Sequence, residues 1–240
     1  MAKSAPNNQR PTAGTIQRRH QMPRLFHDTR RRMVGLLGGS FNPAHEGHLH
    51  SAIMAKRALG LDEIWWLVTP QNPLKSANDL APIAQRLAYA RKIAAPHSFI
   101  KVIAPEQGMR DNYTYKSLVY LNKIAPHNQF FWIMGADNLV QFPKWHRHRD
   151  IASAIPIAVI DRPSYSYKAI GIGRLLLSRR LAARQLGKLA LRGGVKAPVW
   201  CFISGRRHHA SATALRALGA GLQTSAFSQL SSKPLERDHY

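Results

Sequence analysis

Met33-Val34-Gly35-Leu36-Leu37-Gly38-Gly39-Ser40-Phe41-Asn42-Pro43-Ala44-His45-Glu46-Gly47-His48 is the stretch on which the reading of the fold turns. Residues 33–37 are a short apolar run, read as a buried strand. Residues 38–44 read as a tight turn, and 46–59 has helical apolar spacing closed by Gly60. Strand, glycine turn and helix start, in that order, make the first half of a β-α-β unit.

Outward from this stretch the alternation repeats. Strands are predicted at 64–68, 99–103, 130–134, 157–160 and 199–203. Helices are predicted at 83–94, 114–124, around 137–140 and at 211–218, with a loop over 70–82. Residues 167–191 read as mostly helical with glycine interruptions, and 174–192 as an amphipathic helix with a solvated basic face. Such alternation predicts an α/β fold, a doubly wound and mostly parallel sheet with helices on both faces. Ligands of such sheets gather beyond the carboxyl ends of the strands.

Composition narrows the class. The chain has 240 residues and 45% hydrophobic content, enough for one α/β-sized domain with tails. No apolar run approaches 18 residues, so no membrane span is expected. The single cysteine, Cys201, excludes an intramolecular disulfide, fits a cytoplasmic setting and lies in an apolar run that suits a buried thiol. Lys and Arg total 35 against 12 acids, a net charge of +23, so anionic partners are expected. Residues 1–32 read as a disordered basic arm, 33–220 as the domain and 221–240 as a frayed tail. That charge leaves weak nucleic-acid affinity through the arm as a competing reading, although no recognition motif accompanies it.

At the first strand end, Gly38 and Gly39 let backbone N–H groups approach an anion, and the following helix start favours phosphate. His45 and His48, three apart, share one side of that helix start. Zinc is disfavoured because the metalloprotease spacing is four and no third ligand follows. A P-loop needs Gly-Lys-Ser/Thr, which is missing. The bland alternative, two solvated histidines capping a helix, stands at this point. Near the other end, Ser211 or Thr213 can cap a helix that carries Arg216 one turn along, read either as a second phosphate-binding start or as an ordinary cap with a surface arginine.

Taken together, Gly38 to Leu49 and Ser211-Ala212-Thr213-Ala214-Leu215-Arg216 resemble the two signatures of the nucleotidylyltransferase family. Tyr113 to Leu118, Trp132 to Leu139, Phe142-Pro143-Lys144-Trp145-His146 and Asp161 to Tyr165 look most like its nicotinate-nucleotide branch. Two departures stand out: Ala212 replaces a more usual serine, and Asn42 a more usual aspartate. The resemblance implies a Rossmann-like fold and transfer of AMP from ATP to nicotinate mononucleotide, giving deamido-NAD and pyrophosphate. Nicotinamide mononucleotide is the rival acceptor. It further implies that Gly39, Ser40 and Phe41 cradle the nucleotide, while His45 and His48 contact the ATP phosphates. Ser211, Thr213 and Arg216 would hold the β- and γ-phosphates, with Arg216, His45 and His48 as the catalytic set. Gly135 and Asp137 would meet the adenosine. For the acceptor, Trp145 is a candidate to stack on the nicotinate ring, with core packing as the alternative. Helix-start N–H groups near Thr114 and Tyr115 are candidates for its carboxylate, and Lys75 and Arg162 for the substrate phosphate, with plain surface cations as the alternative for both. Mg²⁺ is expected to enter on the ATP phosphates and water, with no cage of protein ligands.

Overall fold

The computed structural model describes residues 30–70, 80–105, 113–162, 165–177 and 179–205. Seven strands form one sheet: β1 (Met33–Gly39), β2 (Glu63–Val68), β3 (Ile100–Ile103), β4 (Gln129–Gly135), β5 (Ile157–Ile160), β6 (Arg179–Arg180) and β7 (Val199–Ile203). Their spatial order is β3-β2-β1-β4-β5-β7-β6, and every neighbouring pair is parallel. The helices are α1 (Glu46–Leu59), α2 (Ile83–Ala94), α3 (Thr114–Ile124), α4 (Ala136–Gln141), α5 (His148–Ala154), α6 (Ser166–Leu176) and α7 (Ala183–Leu191). The chain winds outward from β1 to β3, then returns to β4 on the other side. The topological switch point therefore lies between the carboxyl ends of β1 and β4, where a crevice opens in such sheets.

Parallel strands covered on both faces need apolar side chains on both faces. β2 is buried throughout, and its adjacent Trp65 and Trp66 enter opposite cores because successive side chains alternate. Trp66 joins Leu37, Phe131, Ile133 and Cys201 in one core, which α1, α2 and α7 cover. Trp65 joins Leu36, Trp132, Met134 and Trp200 in the other, beneath α3 to α6. No helix of the described residues is long and apolar enough to cross a membrane.

Helix ends follow their local chemistry. Gly60 closes α1 at φ 70°, a left-handed cap that an L side chain rarely adopts. Arg31 and Arg32, placed in the arm by the sequence reading, are fastened to the domain. Arg31 donates to the Ala190 carbonyl at 3.0 Å, and Arg32 pairs with the carboxylate of Glu63.

Two expectations are corrected. The stretch 167–191 is not one helix broken at glycines. Gly171 and Gly173 lie inside α6, and a Cβ on Gly173 would come within 2.5 Å of the Trp200 ring, so that glycine admits an aromatic neighbour. The break comes at β6, which pairs with Val199 and Trp200, while Arg180 lies over the Trp200 ring at 5.4 Å. The sheet edge supplies hydrogen-bond partners that outweigh the local helical pattern. The second correction concerns Gly38 and Gly39, which extend β1 rather than turn. The turn follows them, and its positive φ, 46°, falls on Phe41.

Cys201 is wholly buried, and burial pushes its thiol up to about 12. Native protein at pH 8 should be inert to a thiol-specific disulfide reagent, with one thiol titrating only after denaturation. Fast reaction of the native protein would contradict this burial. The raised value also adds stability that is intact below about pH 9 and is lost between 9 and about 12, as the unfolded chain alone ionises.

Candidate active site

The first strand end leads into a helix capped by its own histidines. His45 is the residue before α1, in an extended conformation, and its Nδ1 accepts from the Gly47 N–H at 3.0 Å. His48 returns the contact: its Nδ1 accepts from the His45 N–H at 3.2 Å. This is a capping box made of two imidazoles. The cap has a chemical consequence. With each Nδ1 acting as acceptor, the proton of each neutral ring sits on Nε2, so both rings carry an N–H donor on the side away from the helix backbone. The ring centroids are 3.9 Å apart; both rings cap the helix, but His45 is buried, so they are not the solvated pair of the bland reading.

Phe41 supports the pair from beneath. Its ring is buried, stacks on Trp66 at 5.1 Å and meets His48 at 4.6 Å. Its left-handed backbone costs about 1 kcal/mol in an L residue. Such a conformation persists because the packed ring over-determines it. Gly38 is needed for another reason: a Cβ there would come within 2.6 Å of the Trp132 ring. A Cβ on Gly39 would make only ordinary contact with Phe41, so its neighbourhood is comparatively open.

Next to β1, β4 ends in Gly135, and α4 starts at once. Asp137 lies in the first turn of α4, with Oδ1 at 4.0 Å from Nε of Arg162, which follows β5. Both atoms are buried and have no hydrogen-bond partner. A Cβ on Gly135 would overlap that same Asp137 oxygen. Gly39, Ser40, Phe41, His45, His48, Gly135, Asp137 and Arg162 all lie at the carboxyl edge of the neighbouring strands β1, β4 and β5.

Of the predicted mononucleotide residues, Thr114, Tyr115 and Trp145 lie on segments that touch one another. α3 begins at Thr114 and Tyr115, and no side-chain cap covers its first turn. Trp145 follows a one-turn 3-10 helix, Phe142–Lys144, and meets Trp132 and Phe142 edge-on at 6.2 and 5.5 Å. Trp145 is half-buried and packs against the core. Contacts not foreseen from sequence join the two segments: Tyr113 stacks on His146 at 4.3 Å, and the Arg147 guanidinium lies 4.0 Å over the Tyr115 ring. Lys75, Ser211, Thr213 and Arg216 lie outside the described residues. β7 nevertheless ends at the same edge beside β5, and Gly205 abuts Met54 of α1.

Comparison with known proteins bears on this geometry. The family model described as cytidylyltransferase-like matches residues 36–218. The chain belongs to the cytidylyltransferase-like family. A relative from Rhizobium meliloti (strain 1021) is 45% identical over 190 residues, 78% of this chain and 99% of its own. Another, from Rhizobium johnstonii (strain DSM 114642 / LMG 32736 / 3841), is 46% identical over 195 residues, 79% of this chain and 94% of its own. Both are named probable nicotinate-nucleotide adenylyltransferase. At that identity and coverage, this member of the cytidylyltransferase-like family is a nucleotidyltransferase of the nicotinate-nucleotide branch. A Plasmodium falciparum nicotinic acid mononucleotide adenylyltransferase solved with NaAD shares the fold: TM-score 0.59 at 14% identity, covering 84% of this chain and 95% of that one.

One buried charge beside this site was missed by the sequence reading, although a signal for it existed. Arg86 is 1% exposed. It sits on the apolar stripe Ile83, Leu87, Ala90, Ile93, Ala94 of α2, where a cation has no ordinary place.

Proposed function

We propose that the chain transfers AMP from ATP to nicotinate mononucleotide, forming nicotinate adenine dinucleotide and pyrophosphate. The observation that carries the reading is the imidazole capping box, which holds two Nε2–H donors beside the switch-point crevice. A phosphate oxygen of the mononucleotide attacks the α-phosphorus of ATP, a new P–O bond forms, and the bond to the β-phosphate oxygen breaks. No protein nucleophile takes part. The protein positions both phosphates and offsets the charge that grows on the departing pyrophosphate. His45 and His48 supply those donors, Asp137 accepts from the ribose hydroxyls, and Arg162 neutralises the acceptor phosphate. Asp137 is the one carboxylate among these described site residues, which suits Mg²⁺ held by ATP phosphate oxygens and water rather than by a protein cage.

For the acceptor, the first turn of α3 offers backbone N–H groups to the nicotinate carboxylate, and Trp145 offers a flat ring. Steady-state comparison of the two mononucleotides tests this. We expect kcat/KM to favour the nicotinate form by tenfold or more. A tenfold preference for the amide overturns the substrate assignment.

Trp145→Ala should raise KM for the nicotinate mononucleotide about tenfold with a smaller effect on kcat, since stacking on an aromatic is worth about 1 kcal/mol or more. The same substitution costs stability, about 2 kcal/mol, because the ring also packs on Trp132 and Phe142. Trp145→Phe separates the two roles by keeping most of the ring face. An unchanged KM in the alanine variant, with only Tm lowered, assigns Trp145 to packing alone.

A further inference from the structure

Arg86 is a buried cation held by carbonyl oxygens alone. Its Nη1 donates to Ser40 O at 2.6 Å and to Thr69 O at 2.7 Å. Its Nη2 donates to Pro70 O at 2.7 Å, and its Nε to Ala81 O at 2.8 Å. Four of its five N–H donors are therefore satisfied by three separate segments: the turn after β1, the chain leaving β2, and the approach to α2. None of the four partners is a carboxylate. Burial lowers its pKa from the usual guanidinium range, yet an arginine remains charged at neutral pH.

A buried charge without a counter-ion is costly, and an apolar residue on this stripe of α2 would pack the core without that cost. The compensation lies in what the guanidinium joins. Ser40 is the residue before Phe41, whose left-handed backbone sets the course of the chain into His45. The Ser40 carbonyl faces Arg86, which fixes the orientation of the peptide that it shares with Phe41. The other anchors bind that peptide to the end of β2, and Thr69 adds its own bonds to the Gly39 carbonyl, 3.0 Å from its backbone N–H and 3.3 Å from its hydroxyl. Asn42 closes the circuit by accepting from the Ala81 N–H at 3.2 Å.

We propose that Arg86 is a positioning residue for the triphosphate, which locks the 40–42 turn through carbonyl contacts and adds a fixed positive charge beneath it, without touching ATP. This rests on the function proposed above. A residue acting this way affects the ATP side of the reaction and spares the mononucleotide side, where α3 and Trp145 belong to other elements.

The test compares Arg86→Lys and Arg86→Met with the wild-type chain. ATP affinity is measured by titration calorimetry, both KM values by steady-state kinetics, and folding by circular dichroism and Tm. Arg86→Lys keeps the charge but cannot reach four carbonyls in a planar fork. Arg86→Met keeps most of the volume and loses charge and donors. We expect ATP affinity to fall tenfold or more in Arg86→Met and by less in Arg86→Lys, with KM for the mononucleotide within twofold of wild type. ATP affinity unchanged in folded variants, or equal losses for both substrates, overturns the proposal. If Arg86→Met fails to fold, Arg86→Lys alone decides by the same comparison. A wild-type chain that binds ATP but makes no dinucleotide defeats the proposed reaction, while the role of Arg86 is still judged by ATP affinity. A wild-type chain that does not bind ATP defeats both.

Discussion

Replacement of either histidine by alanine is expected to lower kcat about 100-fold or more, the scale of losing one preorganised donor to a developing phosphate charge. The two losses have different secondary signatures. His45→Ala removes the acceptor for the Gly47 N–H and so also uncaps α1, which costs about 1 kcal/mol of stability. His48→Ala removes the acceptor for the His45 N–H, the weaker half of the box by distance. A cap can be restored without a donor, and that separates structure from chemistry. Asparagine and aspartate are good helix caps, so His45→Asp should recover Tm. Its carboxylate carries no N–H and repels phosphate, so kcat should stay low. Glutamate at the His48 position likewise suits the capping box yet removes the donor. Recovery of turnover in His45→Asp, or near-normal kcat in both alanine variants, would mean that the imidazoles only cap the helix. Turnover measured at saturating substrate, beside Tm for each variant, makes the comparison.

Much of this site was legible because the physics that builds it is local. Apolar runs bounded by turn residues gave β2, β4, β5 and β7, and apolar spacing gave α1, α2 and α3 to the residue. Parallel strands make the carboxyl edge a shared place, so residues far apart in sequence were expected to meet there. His45, Asp137 and Arg162 do lie at that edge. Where reading failed, the deciding partner was distant. β6 is two exposed arginines whose extended form depends on β7, and nothing in their own sequence says strand. α5 and the 3-10 turn at Phe142–Lys144 are too short to show a period, and Pro143 obscures both. The tight turn was placed from Gly38 onward, but those glycines extend β1, and the positive φ falls on Phe41, whose ring is packed. Arg86 shows the reverse case, in which the signal was local and present. A cation on an apolar stripe is an inconsistency between pattern and position, and such inconsistencies cluster where function overrides packing.

Asp137→Asn should lower kcat/KM for ATP by about 10- to 100-fold, because a charged acceptor contributes about 1.5–3 kcal/mol to a hydrogen bond. Its neighbour makes the prediction more specific. Asp137 and Arg162 belong to different substrates in the proposed reaction, yet their side chains face each other at 4.0 Å across the ends of β4 and β5. Among the described residues neither atom has a hydrogen-bond partner, and the two side chains form an ion pair at that separation. Neutralising Asp137 therefore leaves Arg162 without its counter-charge, so KM for the mononucleotide should move as well as KM for ATP. Arg162→Met should show the converse. Residues in contact are not additive, and the double variant is expected to lose at least threefold less than the product of the single losses. Simple multiplication of the two losses would show that each residue serves its own ligand independently. Coupling of the expected size would mean that the 4.0 Å gap is where the two substrates are brought into register, one strand end holding the donor and the next holding the acceptor.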